Sequence, residues 1–148
     1  MDKLLLKPVF DHYRVSEATI TTFTTFTVDG LLHPEFYDPE TISPSEETQV
    51  SWESIRSFCL SIFRGKKLPL AFRFVFQLPN ADLPGFLDEN GLMIDPADVF
   101  GLYLNIQYRN NTLTLTTGSS QHVFPGNREL DHAWDQHIRD FLTREELD

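Results

Sequence analysis

Residues 69–78, PLAFRFVFQL, alternate without a break. Leu70, Phe72, Phe74, Phe76 and Leu78 fall on one side, and Ala71, Arg73, Val75 and Gln77 on the other. Successive side chains of a strand point to opposite faces, so this run can put all its phenylalanines in one core only as a strand. It is the strongest core strand in the chain, and the remaining segments must be arranged around it.

Residues 99–117, VFGLYLNIQYRNNTLTLTT, read as a hairpin turning at Asn110-Asn111. Arg109 then faces Thr112 and Tyr108 faces Leu113. One register places Leu102, Leu104, Ile106, Tyr108, Leu113 and Leu115 on one face. Tyr103, Asn105, Gln107, Arg109, Thr112, Thr114 and Thr116 take the other.

The segment ITTFTTFTVDG at 20–30 reads as a further strand, because β-branched threonines fit a pleated surface better than a helix. Asp29-Gly30 is a two-residue turn signal. It predicts a partner strand over 31–36, with Phe26 facing His33 and Phe23 facing Phe36. Phe23 and Phe26 would then point to opposite faces of a long strand that is either buried in part on both faces or carries a bulge, and the open sheet face would be more apolar around Phe23 or Phe26. Pro34 cannot donate to a ladder, which makes that partner an edge strand. Residues 34–49 hold three prolines, several acidic residues and no Lys or Arg, and read as a long acidic loop.

Residues 51–64 read as a helix with Ser51 as N-cap and a broad stripe of Trp52, Ile55, Phe58, Cys59, Ile62 and Phe63. Residues 80–91 give a short helix closed by Gly91, and Asp95-Pro96 starts another helical turn. Residues 127–142 read as the last helix, with Asn127 as cap. The order is hairpin, helix, strand, short helix, hairpin, helix. It predicts an α+β two-layer sandwich, an antiparallel or mixed sheet of about five strands with two main helices on one face. At 148 residues the chain reads as a single domain.

The three segments FDHYRVSEATITTFTTFTVDG, FRGKKLPLAFRFVFQL and GLYLNIQYRNNTLTLTTGSS resemble a small bacterial family of uncharacterised stand-alone proteins, a domain of unknown function. The resemblance spans nearly the whole length. It implies a single domain and a bacterial, cytosolic setting, and it carries no activity or site residue with it.

Several functions are disfavoured by composition. With 22 acidic and 12 basic residues the net charge is −10, so no basic stripe exists for generic nucleic-acid or anionic-membrane binding. The single cysteine, Cys59, excludes a disulfide framework. The leucines at 4–6 are too few for a signal core or membrane span. A cytoplasmic location is expected.

Catalytic motifs are missing. His132 and His137 are five apart on a helix and diverge by about 140°, so they do not form a metal pair. His137 falls on the apolar face and reads as a core histidine. Cys59 lies in an apolar stripe and reads as inert. Ser119 and Ser120 near His122 lack a nucleophile-elbow pattern. RGKK at 64–67 reads as helix-terminal charge. Tyr103 stands on the polar hairpin face without a second aromatic, which is too little for base stacking. Asp11, Glu17, Asp29 and Glu35 could gather around the first hairpin with His12 and His33.

No metal or cofactor is expected. The leading expectation is a non-catalytic binding or interaction module whose partner is another protein or a second copy, met at the edge of Leu31, Pro34 and Phe36. The alternative is a small-molecule binder or enzyme. Its pocket would lie between the sheet and the 34–49 loop, with His33, Glu35 and His12 as polar groups.

Overall fold

A computed structural model describes residues 8–36, 48–63, 69–122 and 128–145. Five strands form one antiparallel sheet: β1 (Arg14–Thr21), β2 (Thr25–Val28), β3 (Ala71–Gln77), β4 (Val99–Arg109) and β5 (Thr112–Gln121). Their spatial order is β2-β1-β3-β4-β5. Among the described residues three helices accompany them, α1 (Trp52–Ile62), α2 (Leu83–Glu89) and α3 (Glu129–Arg144). The architecture is the expected α+β class.

The ladder registers show why the helices gather on one side. Ile20 faces Phe72, Phe72 faces Tyr108, and Ala18, Phe74 and Ile106 form the next row. All of these are buried, as are Phe76, Leu102 and Leu104. Trp52 of α1 sits on Phe74 and Phe76 with ring centroids 5.0 and 5.1 Å away. Trp134 of α3 is 1% exposed and its indole Nε1 donates to the Tyr103 carbonyl at 2.8 Å. Phe86 of α2 meets Trp134 edge-on at 5.7 Å. The opposite face carries Thr19, Arg73, Asn105, Gln107 and Thr116, and Arg73 donates to Asn105 at 3.3 Å.

The second hairpin has the expected register, Arg109 opposite Thr112 and Tyr108 opposite Leu113. Asn110 and Asn111 take φ of 53° and 61°, the left-handed pair that a two-residue turn needs. Ser51 caps α1 by accepting from the Ser54 amide at 3.3 Å. Gly91 has φ 64° just past α2. The Asp95 side chain accepts from the Ala97 amide at 2.9 Å, as a cap should. Asn127 and residues 64–68 lie outside the described residues.

The first hairpin differs from expectation. Its turn is at 22–24, where the Thr22 amide donates to the Thr24 carbonyl, and β2 folds back on β1 with Thr21 opposite Thr25. Asp29-Gly30 is not that turn. Asp29 instead accepts from the Leu31 amide at 3.0 Å, and Gly30 has φ 76°. The chain then pairs briefly with 48–50, with Leu31 bridged to Gln49. The edge strand expected over 31–36 does not form, because Pro34–Phe36 is a 3-10 turn. Phe26 lies opposite Ile20 on the helix side, and Phe23 stands at the turn tip, 92% exposed. The open face is therefore polar around them, not apolar.

Two smaller expectations also fail. Phe58 is 71% exposed, on the outer side of α1, and Leu70 precedes β3 rather than joining its buried row. No described helix is long and apolar enough to cross a membrane.

Candidate functional site

The concave site is built by three stretches far apart in sequence. Phe10 anchors the first, packing against Phe76 at 5.3 Å and Phe141 at 5.6 Å. Arg56 of α1 reaches back to Asp11 at 3.1 Å, and the Trp52 amide donates to the Tyr13 carbonyl at 2.9 Å. These contacts hold His12 and Tyr13 at the end of the sheet. The second stretch is Leu78, the 3-10 turn Asn80–Asp82, and α2. The third is the last half of α3. Between them lies a cleft of about 440 Å³ with an apolar floor of Val9, Leu78, Phe86 and Phe141. His12, Tyr13, Asp82, Glu89 and His137 supply its polar groups.

Each polar group has a defined environment. His12 Nε2 pairs with the Asp82 carboxylate, joining the first stretch to the second. Tyr13 is pushed up to about 12, chiefly by burial, so its phenol keeps its proton and serves as a donor. His137 stacks on Trp134 at 5.5 Å and stands edge-on to Phe86 at 5.3 Å. Burial, and secondarily the Arg144 guanidinium, lowers its pKa below the ordinary 6.5. Its imidazole is therefore neutral near pH 7. Gly85 borders the cleft from α2, and a Cβ there would meet nothing within 4 Å.

At neutral pH the cleft offers a phenol donor, a neutral imidazole, a His–carboxylate pair and a second carboxylate over an oily floor. That suits recognition of a small molecule. Among the described residues no Ser, Thr or Cys lines it. Among the described residues no three His, Cys, Asp or Glu side chains are placed to hold a metal ion.

Of the residues expected to form a site, only His12 is here. His33 and Glu35 bond each other at 3.2 Å on the 3-10 turn, with side chains 62% and 76% exposed. Glu35 is held below the ordinary carboxyl range, first by a backbone amide and then by His33. Neither lines the cleft. Most of the 34–49 loop lies outside the described residues, so the pocket expected beneath it does too. Leu31, Pro34 and Phe36 are exposed but belong to no strand.

The other candidates disperse. Asp11 holds Arg56, Glu17 lies 3.7 Å from Arg73, and Asp29 caps Leu31, so these carboxylates form no cluster. Ser119 donates to Asp131 rather than meeting His122, whose amide donates to Asp98. Cys59 is 1% exposed, and burial pushes its thiol up to about 11. A Cβ at Gly101 would lie 2.4 Å from the Tyr103 hydroxyl, so that ring is folded across the strand and gives no stacking platform.

Sequence reasoning missed Tyr13, Asp82, Glu89 and His137 as partners of His12. His12 and Asp82 are 70 positions apart, and no motif links them. The helical periodicity of 127–142 places His137 on the apolar face and says nothing of its neighbours across the cleft.

Comparison with curated proteins and with solved structures gives no significant match. A family model does match, the Family of unknown function (DUF5721), over residues 3–148. Because that match covers essentially the whole chain, the protein belongs to this family of unknown function.

Proposed function

We propose that this domain is a non-catalytic binding module and that the cleft between the His12–Tyr13 segment, α2 and α3 receives a small ligand. One observation carries the reading: five titratable side chains from three distant stretches converge on one apolar-floored cleft of about 440 Å³. Chance surface charge does not usually seat a buried tyrosine and a half-buried histidine beside one cavity. Among the described lining residues the one hydroxyl is the Tyr13 phenol, which burial keeps protonated and so a hydrogen-bond donor rather than a nucleophile, and this supports binding over covalent catalysis. A single buried thiol agrees with a reducing, cytoplasmic setting.

The test is a thermal-shift and NMR screen of metabolites and fragments against the native chain and Gly85→Leu. The leucine plugs the cleft from a helix position with open space beside it. A compound that shifts the Phe86 and His137 resonances of the native chain, and not those of the plugged one, supports the reading. Hits that bind both chains equally refute it.

A protein partner is the second reading. Phe23 projects at 92% exposure, braced edge-on by Phe26 at 5.9 Å. Leu70, 71% exposed, is tied by its amide to Thr21 at the same end of the sheet. Phe23→Ser should abolish lysate capture if that end is the contact, and leave any cleft ligand unaffected.

A further inference from the structure

The sheet has two edges of unequal character. β2 is four residues long, ends at Val28 and is followed by the charged Asp29, a short edge of the kind that resists strand addition. β5 is ten residues long, TLTLTTGSSQ, and carries no charge and no proline. At ~3.4 Å per residue it runs for about 34 Å.

The direction of its backbone groups follows from the ladder. The Leu78 amide donates to the Leu102 carbonyl, so the even-numbered residues of β4 bond toward β3. Antiparallel residues alternate sides, and the odd-numbered ones therefore bond β5. Arg109 opposite Thr112 is the closing pair of a two-residue turn, in agreement. Thr112, Thr114, Thr116 and Gly118 thus bond β4. Leu113, Leu115, Thr117 and Ser119 turn their N–H and C=O groups off the sheet. Among the described residues, no loop backbone bonds to them.

We propose that β5 pairs antiparallel with β5 of a second copy, joining two sheets across a twofold axis. An antiparallel strand is its own complement under that symmetry. Only Thr, Leu, Ser, Gly and Gln side chains meet across the seam, so no like charges are opposed. Thr112, Thr114 and Thr116 provide cross-strand threonine contacts on the open face. On the helix side the partner covers Leu113, which is 47% exposed. β5 has no charge with which to select a foreign charged strand. The β5 strand does not border the cleft, so this assembly is independent of any ligand.

With −10 on each chain, the two copies repel at long range. Salt screens that repulsion and leaves the hydrogen-bonded seam, so dimer formation should strengthen as ionic strength rises. The experiment is light scattering coupled to size exclusion, from micromolar to millimolar protein, in low and moderate salt. The expected mass climbs from 17.1 kDa toward twice that value, more steeply with salt. Thr117→Pro deletes one outward amide per copy and should weaken the dimer about tenfold or more. Because that change also removes the bond from Thr117 to Asp135, Thr116→Lys is the second variant. It lies on the open face and brings two ammonium groups to the seam without touching the helix layer.

Native dimer with both folded variants monomeric supports the proposal. If Thr117→Pro fails to fold, Thr116→Lys decides it. A native chain monomeric at every concentration overturns it. So does a dimer that survives both changes, or β5 pairing only with a strand of another protein.

Discussion

Gly30→Ala should cost this protein a large share of its stability. Gly30 is buried, has φ 76°, and sits against β1 so closely that a Cβ would lie 2.0 Å from the Val15 carbonyl oxygen and 2.9 Å from its carbon. Both atoms are backbone and cannot swing aside. Relief requires the 30–32 segment to part from β1, which disturbs two 2.8 Å hydrogen bonds, Val50 to the Gly30 carbonyl and Val15 to the Val50 carbonyl. A left-handed alanine costs ~1–2 kcal/mol, and each buried group left unbonded costs ~1–3 kcal/mol. With one group left unbonded at each of the two bonds, the sum is roughly 3–8 kcal/mol, against total stabilities of about 5–15 kcal/mol for ordinary domains. Gly91→Ala is the matched control. It shares a positive φ of 64° but has no atom within 4 Å of the added carbon, so it should lose only the conformational part. Urea unfolding followed by tryptophan fluorescence measures both. A lower midpoint at unchanged slope reports stability alone. Equal losses for the two variants would refute the close-approach argument.

Acid should weaken the fold through His137. Its pKa lies below 6.5 because burial disfavours the cation, so the unfolded chain takes up the proton first. Stability is then full above about pH 6.5 and falls as pH drops beneath it. Arg144 adds to the effect, while Glu89 and Asp140 oppose it. His137→Gln should flatten that part of a melting-temperature profile, and an unchanged slope would show that other groups carry it. Cys59 should resist thiol reagents in native buffer. With its thiol pushed up to about 11, only about one part in a thousand is thiolate at pH 8, and the side chain is buried. Rapid labelling without denaturant would contradict the placement of α1. Asp135→Ala should cost under ~1 kcal/mol, because its 2.7 Å pair with Arg139 is largely solvated. A larger loss in chemical denaturation would mean that its bond with Thr117 matters more than the pair.

The parts of the fold that the sequence predicted are those governed by local periodicity. Phe72, Phe74 and Phe76 alternate, and the Asn110-Asn111 turn leaves one register that satisfies both strands. Ser51 and Asp95 announce their helices because capping acts within three residues. Asp29-Gly30 misled because a left-handed glycine after an aspartate serves more than one turn. Here Gly30 is needed for close approach to Val15, and the reversal is made by Thr22–Thr24, which carries no glycine. Phe58 misled because a helical stripe broader than its contact leaves one side uncovered. The cleft was legible only at His12. Asp82 and His137 reach it through the packing of α2 and α3, and pairing across 70 residues leaves no spacing to read.

The cleft is lined by residues 9–13 near one end of the chain, 78–89 in its middle and 137–141 near the other end. A molecule held there would act as a staple across almost the full contour of the polypeptide. Its grip on Tyr13 and His137 would close a loop of more than a hundred residues, whose entropy of closure changes only slowly with length. Occupancy would therefore steady the 9–13 and 137–141 segments together. In hydrogen exchange that would show as joint protection of α3 and the Pro8–Phe10 turn, two places with no neighbouring sequence in common.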